Sequence, residues 1–482
     1  NNMSSESHLR RLTLLYNCTA NTLILRTVSK KIAPWLAAGP EIVPQPTAIW
    51  PIHLLLVIVL LVIISTLYLA LRSRTVYLVD YACFRPNSNL RITKATFLEH
   101  ARLSSLLDDS IVNFIAIILK RSGMSDETCV PPVHHYIEPC CGLDEARSEA
   151  ELVVFSVIDD LLAKTCIKRD AIGGLITNCS AFCPVPSIGD MIVNKYKLRS
   201  DIRVMNLSGM ACSASMIAVG LASNMLQVMP RGSHVLVVST ETIGPSYYSG
   251  NKRSMVLSNI LLRVGGVAKL LSTSRSKARF RLVHFTRIIT AANNSAYRCV
   301  YQEEDEKGNL GISLSKDLTV VAGDALKANI MATGPYVLPT SELLKFSLFN
   351  MARKMPHGRN IRPYIPNFCV TFEHFCIHAG GPAVISSVQH GLKLSDQYVE
   401  PSWMTLHRFG NQLSSSVWYE LAYIDAKGQM KKNDRVWMIG FGAGYECNTA
   451  SWVCIQPSSS ADGPWGNCIN HYRKDIFKKI LN

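Results

Sequence analysis

The chain has 482 residues, 48% of them hydrophobic and 18% charged, with 50 Lys and Arg against 35 Asp and Glu. That balance excludes a peptide-sized binder and an extensively disordered chain, and the length suits two to three domains or one large duplicated one. The net charge of +15 comes from scattered Lys and Arg with no basic-aromatic repeat of the kind that tracks a nucleic-acid backbone. A nucleic-acid partner is therefore not expected, and the charge suits an anionic membrane surface, phosphate-bearing substrates or a merely basic exterior.

Residues 1–47 are mixed and poorly periodic, without the apolar core and small-residue cleavage site of a secretory signal. Leu54 to Leu71 then runs LLLVIVLLVIISTLYLAL without a charge, so residues 48–75 are expected to form a transmembrane anchor. Arg26, Lys30 and Lys31 before it and Arg72, Arg74 and Arg85 after it leave the orientation open. Val76 to Cys83 reads as an interfacial or strand segment. Helical periodicity covers Thr96 to Arg121 and Leu143 to Lys168, the second with Glu145, Glu149 and Glu151 near its start, where the helix dipole favours acid. Gly173 to Asn178 is a buried strand and a helix follows from Ser187. The 15 cysteines are irregularly spaced and odd in number, which favours reduced thiols over a disulfide framework. Cys129, His134, His135, Cys140 and Cys141 match no common zinc-finger spacing, so no metal is expected.

Ile202 to Leu207 is β-prone, and after Ser208-Gly209 a run with helical spacing begins, so Cys212 falls where a strand feeds a helix. Unpaired N–H groups and the helix dipole favour thiolate at such a place, although small buried cysteines are common. His234 to Thr240 is a further strand. After an irregular middle the rhythm returns. Phe368 to His378 reads as a strand ending at Gly380-Gly381, Pro382 to Leu392 as a helix, and Arg408 to Asn411 as a loop before the helix Ser414 to Lys427. Arg435 to Phe441 and Ser451 to Gln456 are strands, joined through Gly440-Phe441-Gly442-Ala443-Gly444. Glycines that join two strands are not a dinucleotide fingerprint, which opens a helix. Gly442 and Gly444 instead let a substrate pass close or make a tight hairpin. The alternation predicts a sheet covered by helices, with two similar halves whose strand-to-helix junctions meet. Alone, His378 is a structural hydrogen-bonder and Asn411 an N-cap. With Cys212 they form a possible constellation of nucleophile, imidazole and amide donor.

The segments YLVDYACFRP, NCSAFCPVPSIGDMIVNKYKLR, NLSGMACSAS, HFCIHAGGPAVI, HRFGNQLSSSVWYELAYIDAKG and RVWMIGFGAGYECNTASWV resemble the plant 3-ketoacyl-CoA synthases, condensing enzymes of very-long-chain fatty-acid elongation. That resemblance spans nearly all of Val76 to Val453. It implies a thiolase-like, duplicated αβαβα fold, with residues 76–275 carrying the nucleophile and 276–482 the His and Asn. It implies that Cys212 accepts the acyl group and that His378 and Asn411 bind the malonyl-CoA thioester. His374, His407, Gly380, Gly381, Gly442 and Gly444 would support the site or bind substrate. Acyl-CoA and malonyl-CoA are the implied substrates, with no metal or redox cofactor. The implied setting is the endoplasmic reticulum membrane, with the catalytic part facing the cytosol as a homodimer beside ketoacyl reductase, dehydratase and enoyl reductase. Relatives usually have glycine where this chain has Ser208 and Ala211, histidine at Ile289 and lysine at Glu446, so a distorted turn beside the nucleophile is expected. Type III polyketide synthesis and a regulatory or scaffold role in an elongase are the competing expectations.

Overall fold

A computed structural model describes residues 49–71, 73–355, 364–458, 463–472 and 476–477. The expected N-terminal segment 1–47 lies outside the described residues. The chain divides into two units, residues 1–73 and 74–482. In the first, helix α1 (Ile49–Leu71) has 23 residues and no acidic or basic residue in its first or last turn. At 1.5 Å per residue it is about 35 Å long. Its side chains from Leu54 to Ile64 are exposed.

The second unit is built on strands β1 (Tyr77–Cys83), β2 (Ile172–Asn178), β3 (Arg203–Leu207), β4 (His234–Thr240), β5 (Gly266–Ser272), β6 (Phe280–Ile289), β7 (Val300–Glu304), β8 (Leu310–Leu314), β9 (His374–Ile377), β10 (Arg435–Gly442) and β11 (Glu446–Cys454). Its helices are α2 (Lys94–Leu103), α3 (Asp109–Arg121), α4 (Leu143–Thr165), α5 (Ile188–Tyr196), α6 (Ala214–Val228), α7 (Arg253–Leu261), α8 (Asn294–Tyr297), α9 (Leu318–Val337), α10 (Thr340–Lys354), α11 (Pro382–Leu392), α12 (Asp396–Phe409) and α13 (Ser416–Ala426).

Among the described residues, nine strands form one sheet in the order β3-β2-β4-β5-β1-β6-β11-β10-β9, and β7 and β8 pair as a separate ribbon. The sheet is nearly a mirror about its β1–β6 contact. Outward from there, β5 and β11 run antiparallel to β1 and β6, β4 and β10 antiparallel to those, and β2 and β9 parallel to β4 and β10. Each half therefore repeats one connectivity, and its parallel pair needs a helical crossover. Helices α6 and α13 form the middle layer. Helix α6 touches β2 and β4 of its own half and β11 of the other, while α13 touches β9 and β10 and reaches β1. Helix α4 covers the outside of β1, β4 and β5, and α9 covers β6 and β11. Trp418, Trp437 and Trp452 are wholly buried in this core; each such side chain adds roughly 2–3 kcal/mol of hydrophobic stabilisation.

Several sequence-based boundaries shift for local reasons. The expected helix from Thr96 to Arg121 is two helices, because Thr93 and Asp108 each accept a backbone N–H and open a new turn. The helix expected to reach Lys168 ends at Thr165, where Cys166 turns left-handed. The strand expected from Phe368 is confined to His374–Ile377, because Asn367 caps a 3-10 turn at Phe368–Val370. The last strand begins at Glu446, so Gly442 and Gly444 belong to a tight β10–β11 hairpin. The irregular middle contains β6, the β7–β8 ribbon, α9 and α10.

Candidate active site

Strand β3 delivers the chain to a 3-10 turn, Ala211–Ser213, that runs directly into α6 and carries Cys212 at its centre. The second half repeats the turn and its helix but not the strand: Leu413–Ser415 follows α12 and leads into α13, and Ser414 holds the central place. Both turns start with a non-glycine residue at positive φ, 47° at Ala211 and 52° at Leu413. The two turns touch, so the strand-to-helix junction of the first half meets a helix-to-helix junction of the second. Asn178 Nδ2 donates to Ser414 Oγ at 3.0 Å. Duplication has thus kept the backbone device and placed the thiol in one copy only.

The Cys212 turn is clamped from two sides. The Ala211 N–H donates to Ser180 Oγ at 2.8 Å. The N–H groups of Ser180 and Ala181 donate in turn to Glu241 Oε2, at 2.6 and 3.2 Å. On the other side the β10–β11 hairpin presses its backbone on the turn. A Cβ at Gly442 would lie 2.1 Å from Ser213 Oγ and 2.4 Å from the Met210 carbonyl oxygen, so only glycine fits there.

His378 follows β9 and is buried. Its N–H donates to the Ile439 carbonyl at 2.9 Å, and its own carbonyl accepts the Gly380 N–H at 2.8 Å. Asn411 lies between α12 and the Leu413 turn. Gly410 before it is at φ +74°, where a Cβ would meet Arg263 Cγ at 2.4 Å. Asn411 Oδ1 accepts the Leu413 N–H two residues on at 2.8 Å, and Nδ2 donates to the Gly380 carbonyl at 3.2 Å; the N-cap place read for Asn411 belongs to Gln412, which makes no side-chain cap bond. Two donor hydrogens sit on Nδ2, so one remains for a ligand.

Cys212, His378 and Asn411 line one cavity of about 360 Å³, with Gly380, Gly381 and Gly442. Most of the remaining wall is apolar and comes from Leu257, Leu261, Val300, Ile312, Leu314 and Phe441. A second chamber of about 340 Å³ shares Ala211, Leu262, Val300, Ile312, Leu413 and Ala443 with it and adds Glu241, Ile289, Gly444 and Glu446.

Burial dominates the electrostatics. Desolvation pushes the Cys212 thiol well above its ordinary range, and the nearby Glu241 carboxylate adds to the effect. Burial thus opposes the thiolate that the helix start favours, while Cys212 keeps part of its surface open to the cavity. Burial lowers His378 to about 4, so its imidazole is neutral and carries one N–H donor. Glu241 is raised to about 7 by burial, against the backbone N–H groups it accepts.

Two of the sequence-based candidates stand away from this cavity. His374 sits at the far end of β9 and pairs through Nε2 with Asp434 at 2.9 Å. The His407 ring lies edge-on to Tyr472 at 5.8 Å. Neither lines the cavity, so any support they give is structural, through the strand start and the α12 end. Sequence reasoning missed Glu241, Ser180 and Lys269. Lys269 is fully buried, and its Nζ donates to Ser215 Oγ at 2.7 Å and to Ser239 Oγ. A lysine inside the apolar run GVAKLLS and a glutamate ending HVLVVST were the available signals. Among the described residues no group of three or more His, Cys, Asp or Glu is arranged to hold a metal ion.

A nucleophile turn between two mirrored half-sheets, facing a neutral His and an Asn, defines a thiolase-like condensing fold. Solved type III polyketide synthases share it. The tetrahydroxynaphthalene synthase of Streptomyces coelicolor A3(2) superposes with a TM-score of 0.59 at 17% identity, covering 79% of this chain and 99% of that one. A polyketide synthase of the brown alga Ectocarpus siliculosus gives 0.62 at 15% identity over 80% and 99%. Residues 68–355 match the family described as FAE1/Type III polyketide synthase-like protein, and residues 371–454 match the 3-oxoacyl-[acyl-carrier-protein] synthase III C-terminal family. The chain belongs to the FAE1/type III polyketide synthase-like family. It is 48% identical to 3-ketoacyl-CoA synthase 5 of Arabidopsis thaliana over 97% of both chains. It is 50% identical to 3-ketoacyl-CoA synthase 6 of the same plant over 85% of this chain and 83% of that one.

Proposed function

We propose that this protein is an acyltransferase that condenses a long-chain acyl-CoA with malonyl-CoA, with loss of carbon dioxide, to give a 3-ketoacyl-CoA, the first step of very-long-chain fatty-acid elongation. The observation that carries the proposal is the convergence of Cys212, His378 and Asn411 on one largely apolar cavity, in a chain so similar to named 3-ketoacyl-CoA synthases.

Cys212 Sγ attacks the acyl-CoA thioester, coenzyme A leaves as its thiol, and the thiol proton passes through the neutral His378 imidazole. Malonyl-CoA then loses carbon dioxide and leaves a thioester enolate, whose oxygen takes hydrogen bonds from the His378 N–H and the free hydrogen on Asn411 Nδ2. The enolate carbon attacks the acyl-Cys212 carbonyl and the thiolate departs, so the new carbon–carbon bond replaces the carbon–sulfur bond. Neither a metal nor a redox cofactor is needed for these steps.

The same reading makes α1 an anchor in the endoplasmic reticulum membrane, with the catalytic unit on the cytosolic side. The enzyme works there as a homodimer beside ketoacyl reductase, dehydratase and enoyl reductase. Supporting the anchor, α1 is apolar and about 35 Å long, against a hydrocarbon core of roughly 30 Å.

Purified protein given labelled malonyl-CoA and a series of acyl-CoAs should yield one product, the 3-keto acid two carbons longer. Cys212→Ala should abolish it, and Asn411→Ala should slow decarboxylation by roughly 10²–10³-fold. Absence of product from every chain length, beside an active homologue, would overturn the proposal. Products carrying several malonyl units would favour the polyketide reading, which the fold neighbours and the second chamber support. Full complementation by Cys212→Ala would favour a scaffold role.

A further inference from the structure

Helix α10 is held to the protein by one face. Glu342, its only buried residue, accepts hydrogen bonds from Tyr364 Oη at 2.6 Å, the Asn367 N–H at 3.0 Å and Lys345 Nζ at 2.9 Å. Leu343 packs against the main core and the Phe349 ring stacks on Tyr364 at 5.0 Å. Leu344, Leu348 and Met351 recur at intervals of four and three residues and so share a face, and Met355 follows as the extended residue that ends the helix. They are 63%, 63%, 61% and 61% exposed. The exposed charged side chains of this helix are Lys345, Arg353 and Lys354, all cations, while its one acid is the buried Glu342.

We infer that this face of α10 docks on the surface of an anionic lipid bilayer. Flexible Leu and Met side chains can enter the headgroup and acyl boundary, and neighbouring Lys and Arg meet lipid phosphate. The charge pattern decides against a second copy of this chain as the occupant. Lys345 is already paired with Glu342, but a two-fold contact of α10 with itself would bring Arg353 and Lys354 near cations of the other copy with no exposed acid on the helix to offset them. The net charge of +15 attracts the same surface over longer range. Docking there would hold the catalytic unit beside the layer into which long acyl chains partition, and it rests on the helix alone, whatever the outcome of the condensation assay.

The test uses the full chain in lipid nanodiscs, with Leu348 replaced by a genetically encoded fluorescent amino acid and a control label at the exposed Val185. Brominated acyl chains quench only a label that reaches them. With phosphatidylserine present, the label at 348 should lose most of its emission to brominated lipid, and less in pure phosphatidylcholine, while the label at 185 is unchanged. Leu344→Ser combined with Met351→Ser and Met355→Ser should abolish the quenching at an unchanged melting temperature. A label at 348 that brominated lipid leaves bright and aqueous iodide quenches overturns the inference. So does energy transfer between labels on two copies without lipid quenching, which would assign the face to self-association.

Discussion

Burial raises the Cys212 thiol above its ordinary range, and after burial Glu241 is the charged side chain that adds most to this. Glu241→Gln keeps a side-chain oxygen for the Ser180 and Ala181 N–H groups and removes the negative charge. The Cys212 pKa should then fall, and alkylation by iodoacetamide should speed up. Because Glu241 titrates at about 7, the difference from the parent should be small at pH 6 and grow above pH 7. Equal rates at pH 8 would mean that burial alone sets the thiol. Ala211 carries a second, separable cost. Its φ of 47° is left-handed, worth about 1–2 kcal/mol for a residue with a Cβ, while glycine brings about 0.5–1 kcal/mol of extra chain entropy. Ala211→Gly should therefore stabilise the protein by about 0.5 kcal/mol, seen as a higher urea midpoint at constant slope. Ser180 fixes the Ala211 N–H in that conformation.

At the scale of elements, the site depends on a hairpin lying against a turn. Gly442→Ala would put a methyl group 2.1 Å from Ser213 Oγ. Overpacking of this kind costs about 1–3 kcal/mol, and here the strain enters the turn that holds Cys212. Condensation should fall further than thermal stability does, and a melting curve beside a product assay separates the two. The glycine run was legible in the sequence as a strand-to-strand link, because two apolar strands flanked it. Its role as a brace for the nucleophile was not, since α6 and β10 are far apart along the chain. The α2–α3 break and the left-handed end of α4 were missed for a related reason. Single capping and left-handed residues set them, and hydrophobic periodicity does not register those.

For the whole molecule, burial of titratable groups sets the pH range of stability. His134, His378 and His407 are lowered by burial to about 3, 4 and 4. Their contribution is fully present above the unfolded value of about 6.5 and is lost as pH falls toward 4. Glu149 and Glu241 are raised by burial to about 8 and 7. Their contribution is full below about 4.5 and is lost as pH rises through 7 to 8. Burial also lowers His234, His284 and Lys269 and raises Glu420, so the contributions are separated by substitution: loss of a buried histidine should flatten the limb below about pH 6.5, where the histidines act. Glu241→Gln should flatten the alkaline limb. An alkaline limb that Glu241→Gln leaves unchanged would contradict this account.

The sequence by itself determined the α/β class, most strands and helices, the junction that carries Cys212 and the candidacy of His378 and Asn411. These follow from local periodicity, turn residues and quoted motifs, all of which act over a few neighbours. Only the tertiary structure decided that the three residues share one cavity, that Glu241 and Ser180 brace the nucleophile, and that His374 and His407 stand apart from it. It also decided that burial and Glu241 push the Cys212 thiol upward. Those outcomes depend on water exclusion and on contacts between segments that meet only when the two half-sheets close around α6 and α13.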